Sequence, residues 1–301
     1  MQVIRAEAMG LCFGVRDALE YTTSVADPQN VTVYGELVHN EKVNRRLAER
    51  GFRRMPEQGR EGAAPETAAV LVTAHGISHA ERARLEAAGR QVLDTTCPLV
   101  RRAHEAALRL EAEGCLVLVI GRRGHVEVRG LVGDLRRSEV VESPAEVRCY
   151  EAARIGVLCQ TTTTDVLARA VLQEVGARNP GKLIRFVDTV CRPTRERQQA
   201  LERLLPQVDA LVVVGGRNSR NTGELAESAR ARGVRALQVE SAADLDPYWF
   251  AGCRTVGLTA GTSTLDETIA EVHQALLAMP VPGPSREVQS LKSEVQAPCS
   301  L

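Results

Sequence analysis

Three cysteines stand just before helix-like runs, and two of them follow a strand-like run. Cys12 lies in Gly10-Leu11-Cys12-Phe13-Gly14-Val15, just before the first helix. Cys97 lies in Asp94-Thr95-Thr96-Cys97-Pro98, and Cys191 in Asp188-Thr189-Val190-Cys191-Arg192-Pro193-Thr194. Their separations are 85 and 94 residues. α/β folds place ligands at the carboxyl ends of parallel strands, and helix N-termini there favour the thiolate that metals need. Three thiolates from distant segments suit an iron–sulfur cluster. Four ligands close a cubane, and three leave one iron with an open site. An incompletely ligated metal is a reaction centre rather than a staple. Zinc on three cysteines is the chemical competitor, although its usual short C-x-x-C pair is absent. Inert packing is the third reading, and it is the one expected for Cys115 and Cys159, which sit inside strand-like runs.

A polar set accompanies the cysteines. His39 in Val38-His39-Asn40, His75 in Ala74-His75-Gly76 and His125 in Gly124-His125-Val126-Glu127 each follow a strand-like run. Donors beside glycine at strand ends suit a phosphate-like anion. Asn218-Ser219-Arg220-Asn221 and Gly261-Thr262-Ser263 add amide, hydroxyl and guanidinium donors at matching ends. Glu127 is the natural proton donor, because a carboxyl in a dry pocket holds its proton to higher pH. Neither G-x-x-x-x-G-K-[ST] nor G-x-G-x-x-G occurs, so nucleotide folds of those kinds lack their fingerprint.

The elements that must position these residues are short, branched, apolar runs alternating with helical patterns rich in Ala, Leu, Arg and Glu. Strands are expected at Val31–Tyr34, Ala69–Val72, Val92–Leu93, Leu116–Ile120, Val140–Val141, Gly156–Leu158, Ile184–Val187, Leu211–Val214, Ala236–Val239 and Thr255–Leu258. Continuous apolar strands between amphipathic helices imply parallel sheets covered on both faces, hence an α/β class. The chain also repeats itself: Val141-Glu142-Ser143 recurs as Val239-Glu240-Ser241, and Gly156-Val157-Leu158 as Gly257-Leu258-Thr259. A fainter third copy runs through Val33-Tyr34-Gly35 and Val70-Leu71-Val72. A period of about 100 residues predicts three small α/β domains in a pseudo-threefold arrangement. Their expected bounds are 1–97, 98–190 and 191–279, with an extended tail over 280–301.

Composition narrows the function classes. Lys+Arg and Asp+Glu both number 38 and aromatics make up 3%, which disfavours a nucleic-acid binder. The longest apolar runs fall far short of the roughly 20 residues of a membrane helix. Met1 to Gly10 has no apolar signal-peptide core, so a cytoplasmic location is expected.

Taken together the motifs resemble the 4-hydroxy-3-methylbut-2-enyl diphosphate reductase family of the non-mevalonate isoprenoid pathway. The resemblance covers about residues 1–277. It rests on Gly10-x-Cys12-x-Gly14-Val15, Val38-His39-Asn40, Ala74-His75-Gly76, Thr96-Cys97-Pro98, Gly124-His125-x-Glu127, Gln160-Thr161-Thr162, Cys191-x-x-Thr194-x-x-Arg197-Gln198, Asn218-Ser219-x-Asn221 and Ala260-Gly261-x-Ser263. It implies a three-lobed α/β fold around a [4Fe–4S] cluster held by Cys12, Cys97 and Cys191, with one open iron site. It implies a diphosphate gripped by His39, His75, His125, Thr162, Ser219, Asn221 and Ser263. Glu127, His125 and Thr161 would serve proton delivery to the allylic hydroxyl, which two electrons and two protons remove as water. Ferredoxin or flavodoxin would supply the electrons, and the products would be isopentenyl and dimethylallyl diphosphate. The chain departs from the family pattern at Asp17, Val126, Pro193, Arg220, Thr262 and Leu265. Three readings stay open for the Arg220 guanidinium: a bidentate contact that strengthens anion binding, a side chain that fills the pocket or favours a different anion, and one that turns outward to solvent. Two other readings stay open. One is a cluster-dependent reductase or dehydratase acting on a different hydroxylated anion. The other is a non-catalytic iron–sulfur redox sensor.

Overall fold

All ten expected strands form, most of them longer by a residue or two. The structure is a computed structural model and describes residues 1–57 and 65–280. Among these, twelve strands make three parallel four-stranded sheets. The first holds β2 (Val31–Tyr34), β3 (Arg53–Met55), β4 (Ala69–Val72) and β5 (Gln91–Asp94), in the order β3-β2-β4-β5. The second holds β6 (Leu116–Ile120), β7 (Ser138–Val141), β8 (Arg154–Cys159) and β9 (Leu183–Val187), in the order β7-β6-β8-β9. The third holds β10 (Ala210–Val214), β11 (Arg235–Val239), β12 (Thr255–Ala260) and β1 (Gln2–Arg5), in the order β11-β10-β12-β1.

All three sheets therefore share one strand order, and the third borrows its fourth strand from the chain's start. β1 pairs in parallel with β12, Gln2 opposite Thr255 and Arg5 opposite Leu258. This departs from the expected bounds of the first repeat, which included residues 1–10. Gln2–Arg5 is only four residues long and half-exposed, so no continuous apolar run betrays it. It is a strand because an edge of β12 is available to it. Arg53–Met55 is likewise an edge strand of polar composition that periodicity does not reveal.

The chain divides into two compact units, one spanning Leu11–Gln198 and the other made of Met1–Gly10 with the residues from Gln199 onward. In the Leu11–Gln198 unit, β6 and β8 are sandwiched between two apolar clusters. Val157, Ile155 and Val171 lie on one side, and Val119, Leu158 and Leu110 on the other. In the other unit every residue of β10 is buried, with Val212, Leu258 and Val272 on one face and Leu211, Val213 and Leu201 on the other. Burial on both faces explains why these strands read as unbroken apolar runs. Cys115 and Cys159 are core residues, as expected. The tail expected over 280–301 lies outside the described residues from position 281 on.

The repeated glycines have a packing reason. A Cβ on Gly156 of β8 would lie 3.0 Å from Leu110 Cβ and Cδ1, where helix α4 (Pro98–Ala112) crosses the sheet. A Cβ on Gly257 of β12 would lie 3.0 Å from Leu211 Cδ1 and 3.1 Å from Leu204 Cδ2. Each glycine lets a leucine sink onto the sheet. Gly156→Val is therefore expected to lower stability by about 1–3 kcal/mol through overpacking, read as a lower midpoint in urea with an unchanged slope.

Candidate active site

Each cysteine follows the fourth strand of a sheet and precedes a helix. Cys97 comes after β5 and caps α4, and Cys191 comes after β9 and precedes α7 (Arg192–Leu204). Cys12 follows β1, the borrowed fourth strand, and caps α1 (Phe13–Thr23). The sequence spacing is thus one topological position used three times.

The local chemistry of the sulfurs departs from expectation in one respect. Amides at the helix starts do pull the thiols toward ionisation: Leu99 and Val100 bond to Cys97, and Thr194 bonds to Cys191. Burial outweighs them. It pushes Cys97 up and Cys191 up to about 11, so desolvation defeats the helix termini. A thiol this reluctant to ionise binds a metal by exchanging its proton for the cation. Cys97 and Cys191 both feel Cys12 and Glu127 electrostatically. Gly14, two residues past Cys12, lies against Cys97: a Cβ there would fall 2.5 Å from the sulfur. Among the described residues, the group whose ligand atoms all lie within 4.8 Å of one another is His39, His75 and His125. The three sulfurs do not make such a group.

Two residues beside the sulfurs carried no role in the sequence reading. Thr194 is fully buried, its Oγ1 3.0 Å from Cys191 Sγ. Arg197 is buried one turn further on, donates to the Pro193 carbonyl at 2.8 Å and feels both Cys12 and Cys191. A cation buried beside sulfurs offsets the negative charge that thiolates bring. The signal for both was their place in Cys191-x-x-Thr194-x-x-Arg197, on the first turns of α7.

The carboxyl ends of the first and third strands carry the polar set. His39 follows β2 through Gly35-Glu36-Leu37-Val38, with Leu37 and Val38 buried. Asn40 then caps α2 (Glu41–Glu49), accepting from Val43 N–H at 3.1 Å. His125 follows β6 and caps α5 (Val126–Val132), accepting from the Glu127 N–H on Nδ1 at 3.2 Å. Sequence reasoning missed this helix because Val-Glu-Val-Arg-Gly-Leu-Val is β-branched and contains glycine. His75 follows β4, where Gly76 takes φ +73° and a Cβ would press on Thr96. The three rings form one cluster. His39 stacks on His75 with centroids 4.4 Å apart, and His125 meets them edge-on at 5.2 and 5.5 Å.

Glu127 is buried on the first turn of α5. Thr161, just after β8, donates its N–H to Glu127 Oε1 at 2.7 Å and its hydroxyl to Oε2 at 3.1 Å. Burial pushes the Glu127 carboxyl up to about 7, against the pull of the Thr161 bonds and of His39. A carboxyl in so dry a place keeps its proton to near neutral pH. Thr162 Oγ1 is buried with no hydrogen-bond partner among the described residues.

The donors of the third sheet belong to the other unit. Ser219 follows β10 and caps α8 (Arg220–Ala231), accepting from Thr222 N–H at 3.4 Å. Asn221 Oδ1 accepts from Thr262 N–H at 3.0 Å, while its buried Nδ2 has no partner among the described residues. Ser263 is buried beside β12. Arg220 pairs with Glu224 one turn along α8, so its charge is already offset within its own helix. The loops agree across the repeats: His39, His125 and Ser219 follow first strands, and His75, Thr161 and Ser263 follow third strands.

The family profile described as LytB protein matches residues 3–277. The chain is 36% identical over 286 residues to a protein of Anaeromyxobacter sp. (strain Fw109-5) named 4-hydroxy-3-methylbut-2-enyl diphosphate reductase, covering 94% of this chain and 99% of that one. A protein of the same name from Aquifex aeolicus (strain VF5) is 33% identical, over 92% of this chain and 96% of its own. Among solved structures, the Plasmodium falciparum E-1-hydroxy-2-methyl-but-2-enyl-4-diphosphate reductase superposes with a TM-score of 0.84 at 22% identity, covering 98% and 99% of the two chains. That likeness bears on the fold. A second, titled (E)-4-hydroxy-3-methyl-but-2-enyl diphosphate reductase, the terminal enzyme of the non-mevalonate pathway, has a TM-score of 0.61 at 33% identity, covering 92% and 99%. A profile match over nearly the whole length, and relatives aligned from end to end, agree with the repeated strand-end loops: the chain belongs to the LytB protein family.

Proposed function

We propose that this chain is an oxidoreductase that removes the allylic hydroxyl of 4-hydroxy-3-methylbut-2-enyl diphosphate, giving isopentenyl and dimethylallyl diphosphate at the end of the non-mevalonate pathway. The observation that carries the reading is Glu127, a buried carboxyl pushed up to about 7. It is fixed by Thr161, sits beside three clustered histidines, and lies within electrostatic reach of the half-buried Cys97 and Cys191. A redox sensor has no use for a neutral acid next to an anion site.

Cys12, Cys97 and Cys191 would hold a [4Fe–4S] cluster, with Thr194 bonded to one sulfur and Arg197 offsetting the ligands' charge. That cluster would supply the two electrons at its open iron site. His39, His75 and His125 would bind the diphosphate, joined by Thr162, Ser219, Asn221 and Ser263. Arg220 shares its charge with Glu224, so its part is to lend field rather than a full cation. Glu127 Oε2 holds the proton that goes to the leaving hydroxyl, and the Thr161 hydroxyl and His125 keep that carboxyl in place. Loss of the hydroxyl consumes two electrons and two protons: one C–O bond breaks, one C–H bond forms and water leaves. Acid catalysis suits this step because hydroxide is a poor leaving group and water a good one. The electron donor would be ferredoxin or flavodoxin, and the setting cytoplasmic. No helix of the described residues is long and apolar enough to cross a membrane.

The test is anaerobic turnover on reconstituted protein with a reduced viologen dye and the hydroxymethylbutenyl diphosphate. Dye oxidation with release of both C5 diphosphates is the expected result. A fully loaded brown protein that leaves the dye reduced would overturn the substrate assignment.

A further inference from the structure

The histidine cluster has a hydrogen-bond direction that can be read from its fixed ends. At one end, His125 Nδ1 accepts the Glu127 N–H at 3.2 Å. A nitrogen that accepts carries no proton, so the neutral His125 ring bears its hydrogen on Nε2. At the other end, His39 Nδ1 lies 2.9 Å from Glu36 Oε2. The bond to His39 and the nearby Arg54 hold the Glu36 carboxyl below its ordinary range. Being ionised, the carboxylate only accepts, and His39 Nδ1 must donate. Between the two ends, His39 Nε2 and His125 Nε2 are 3.3 Å apart. With His125 donating, His39 Nε2 is the acceptor. One direction therefore runs through four residues: Glu127 N–H to His125, His125 to His39, His39 to Glu36.

An arriving diphosphate asks for donors. His125 already offers Nε2–H. His39 can offer Nε2–H only by gaining a proton, because its Nδ1–H is committed to Glu36. We propose that Glu36 is a positioning residue for diphosphate capture: it orients His39 so that Nε2 alone faces the anion, and it supplies the counter-charge for the imidazolium that forms. Glu36 touches no substrate and acts through His39, as a carboxylate behind a ligating histidine does. The charged and titratable groups around the pair are Arg54, His75, His125 and Glu127. The same directionality argues against a metal on the three rings, since His125 Nε2 carries a hydrogen where a metal needs a lone pair.

The inference rests on the proposed diphosphate reading, and the test separates the two. Inorganic pyrophosphate is titrated calorimetrically into cluster-loaded wild type, Glu36→Gln and Glu36→Ala. Steady-state constants and long-range proton–nitrogen NMR of ¹⁵N-histidine-labelled protein are read alongside. A hydrogen bond between charged groups implies that Glu36→Ala weakens pyrophosphate binding by about ten- to a hundredfold. KM is expected to rise by a similar factor with kcat close to wild type. Glu36→Gln, which keeps an acceptor but loses the charge, should fall between, and it decides the matter if Glu36→Ala does not fold. In the NMR spectrum, His39 should show Nδ1–H in wild type and a mixture of tautomers in Glu36→Ala. Unchanged affinity with an unchanged His39 tautomer, or a fall in kcat with KM unmoved, overturns the role of Glu36. A wild type that binds no pyrophosphate overturns the diphosphate reading, and this inference with it.

Discussion

Glu127→Gln is expected to lower kcat by about a hundred- to ten-thousandfold, the usual worth of a positioned general acid. The amide keeps the size and one acceptor oxygen for the Thr161 N–H, while its NH2 can donate to the Thr161 hydroxyl where Oε2 now accepts. What is lost is the proton, so iron content and pyrophosphate affinity should stay near wild type. The same group sets a pH signature. Its carboxyl is raised from 4.5 to about 7 in the folded chain, so the folded state binds this proton more tightly than the unfolded one. The stability it contributes is complete below pH 4.5 and is lost as pH rises to about 7. The size of that loss is about 3 kcal/mol. Chemical denaturation at a series of pH values should show wild type losing this increment while Glu127→Gln stays flat across the window. Turnover of wild type should decline above about pH 7 as the proton is lost. A Glu127→Gln variant that turns over like wild type would remove Glu127 from the reaction.

The second large effect is expected from a single methyl group. Gly14 precedes no positive-φ turn; its importance is space. A Cβ there would lie 2.5 Å from Cys97 Sγ and 3.2 Å from Cys97 Cβ. The sulfur cannot share that volume, so Gly14→Ala must displace Cys97 from its place at the start of α4. Ligand placement within about half an ångström decides whether a site holds its metal. Anaerobically reconstituted Gly14→Ala should therefore carry little iron and show little turnover, while its far-ultraviolet dichroism matches wild type. Gly176→Ala is the control: a Cβ there meets nothing within 4 Å, and alanine in α6 (Asp165–Arg178) should be neutral or slightly stabilising. Full iron loading in Gly14→Ala would detach Cys97 from the cluster.

The two experiments probe separate parts of one site. Glu127 bears on the proton, and Gly14 on the place of a sulfur. Both residues stand in motifs legible in the chain, yet their physical parts differ in how visible they were. That Glu127 would be an acid followed from its type and neighbours, but the force raising its affinity for a proton is burial, and burial belongs to the folded molecule. Gly14 stood in a motif without a part of its own, and its part is clearance for a cysteine 83 positions away.

The class and most of the parts were legible in the order of residues alone. Strands buried on both faces must be continuously apolar, so ten of them were legible, and internal repetition marked three equivalent sets of strand-end loops. Those loops carried the cysteines, the histidines and the acid, because a ligand site in a parallel sheet is built where the strands end. Tertiary structure decided what local pattern cannot encode. Gln2–Arg5 became the fourth strand of the third sheet because β12 offered it an edge. Val126–Val132 became a helix because His125 caps it and Gly130 lets it pack, with a Cβ there only 3.2 Å from His104. Burial overrode the helix termini at Cys97 and Cys191. Glu36 is linked to His125 through His39, whose ring meets a ring 86 residues further along the chain. Each of these depends on which surfaces meet and how much water remains between them, and neither is written in the spacing of residues along a strand or helix.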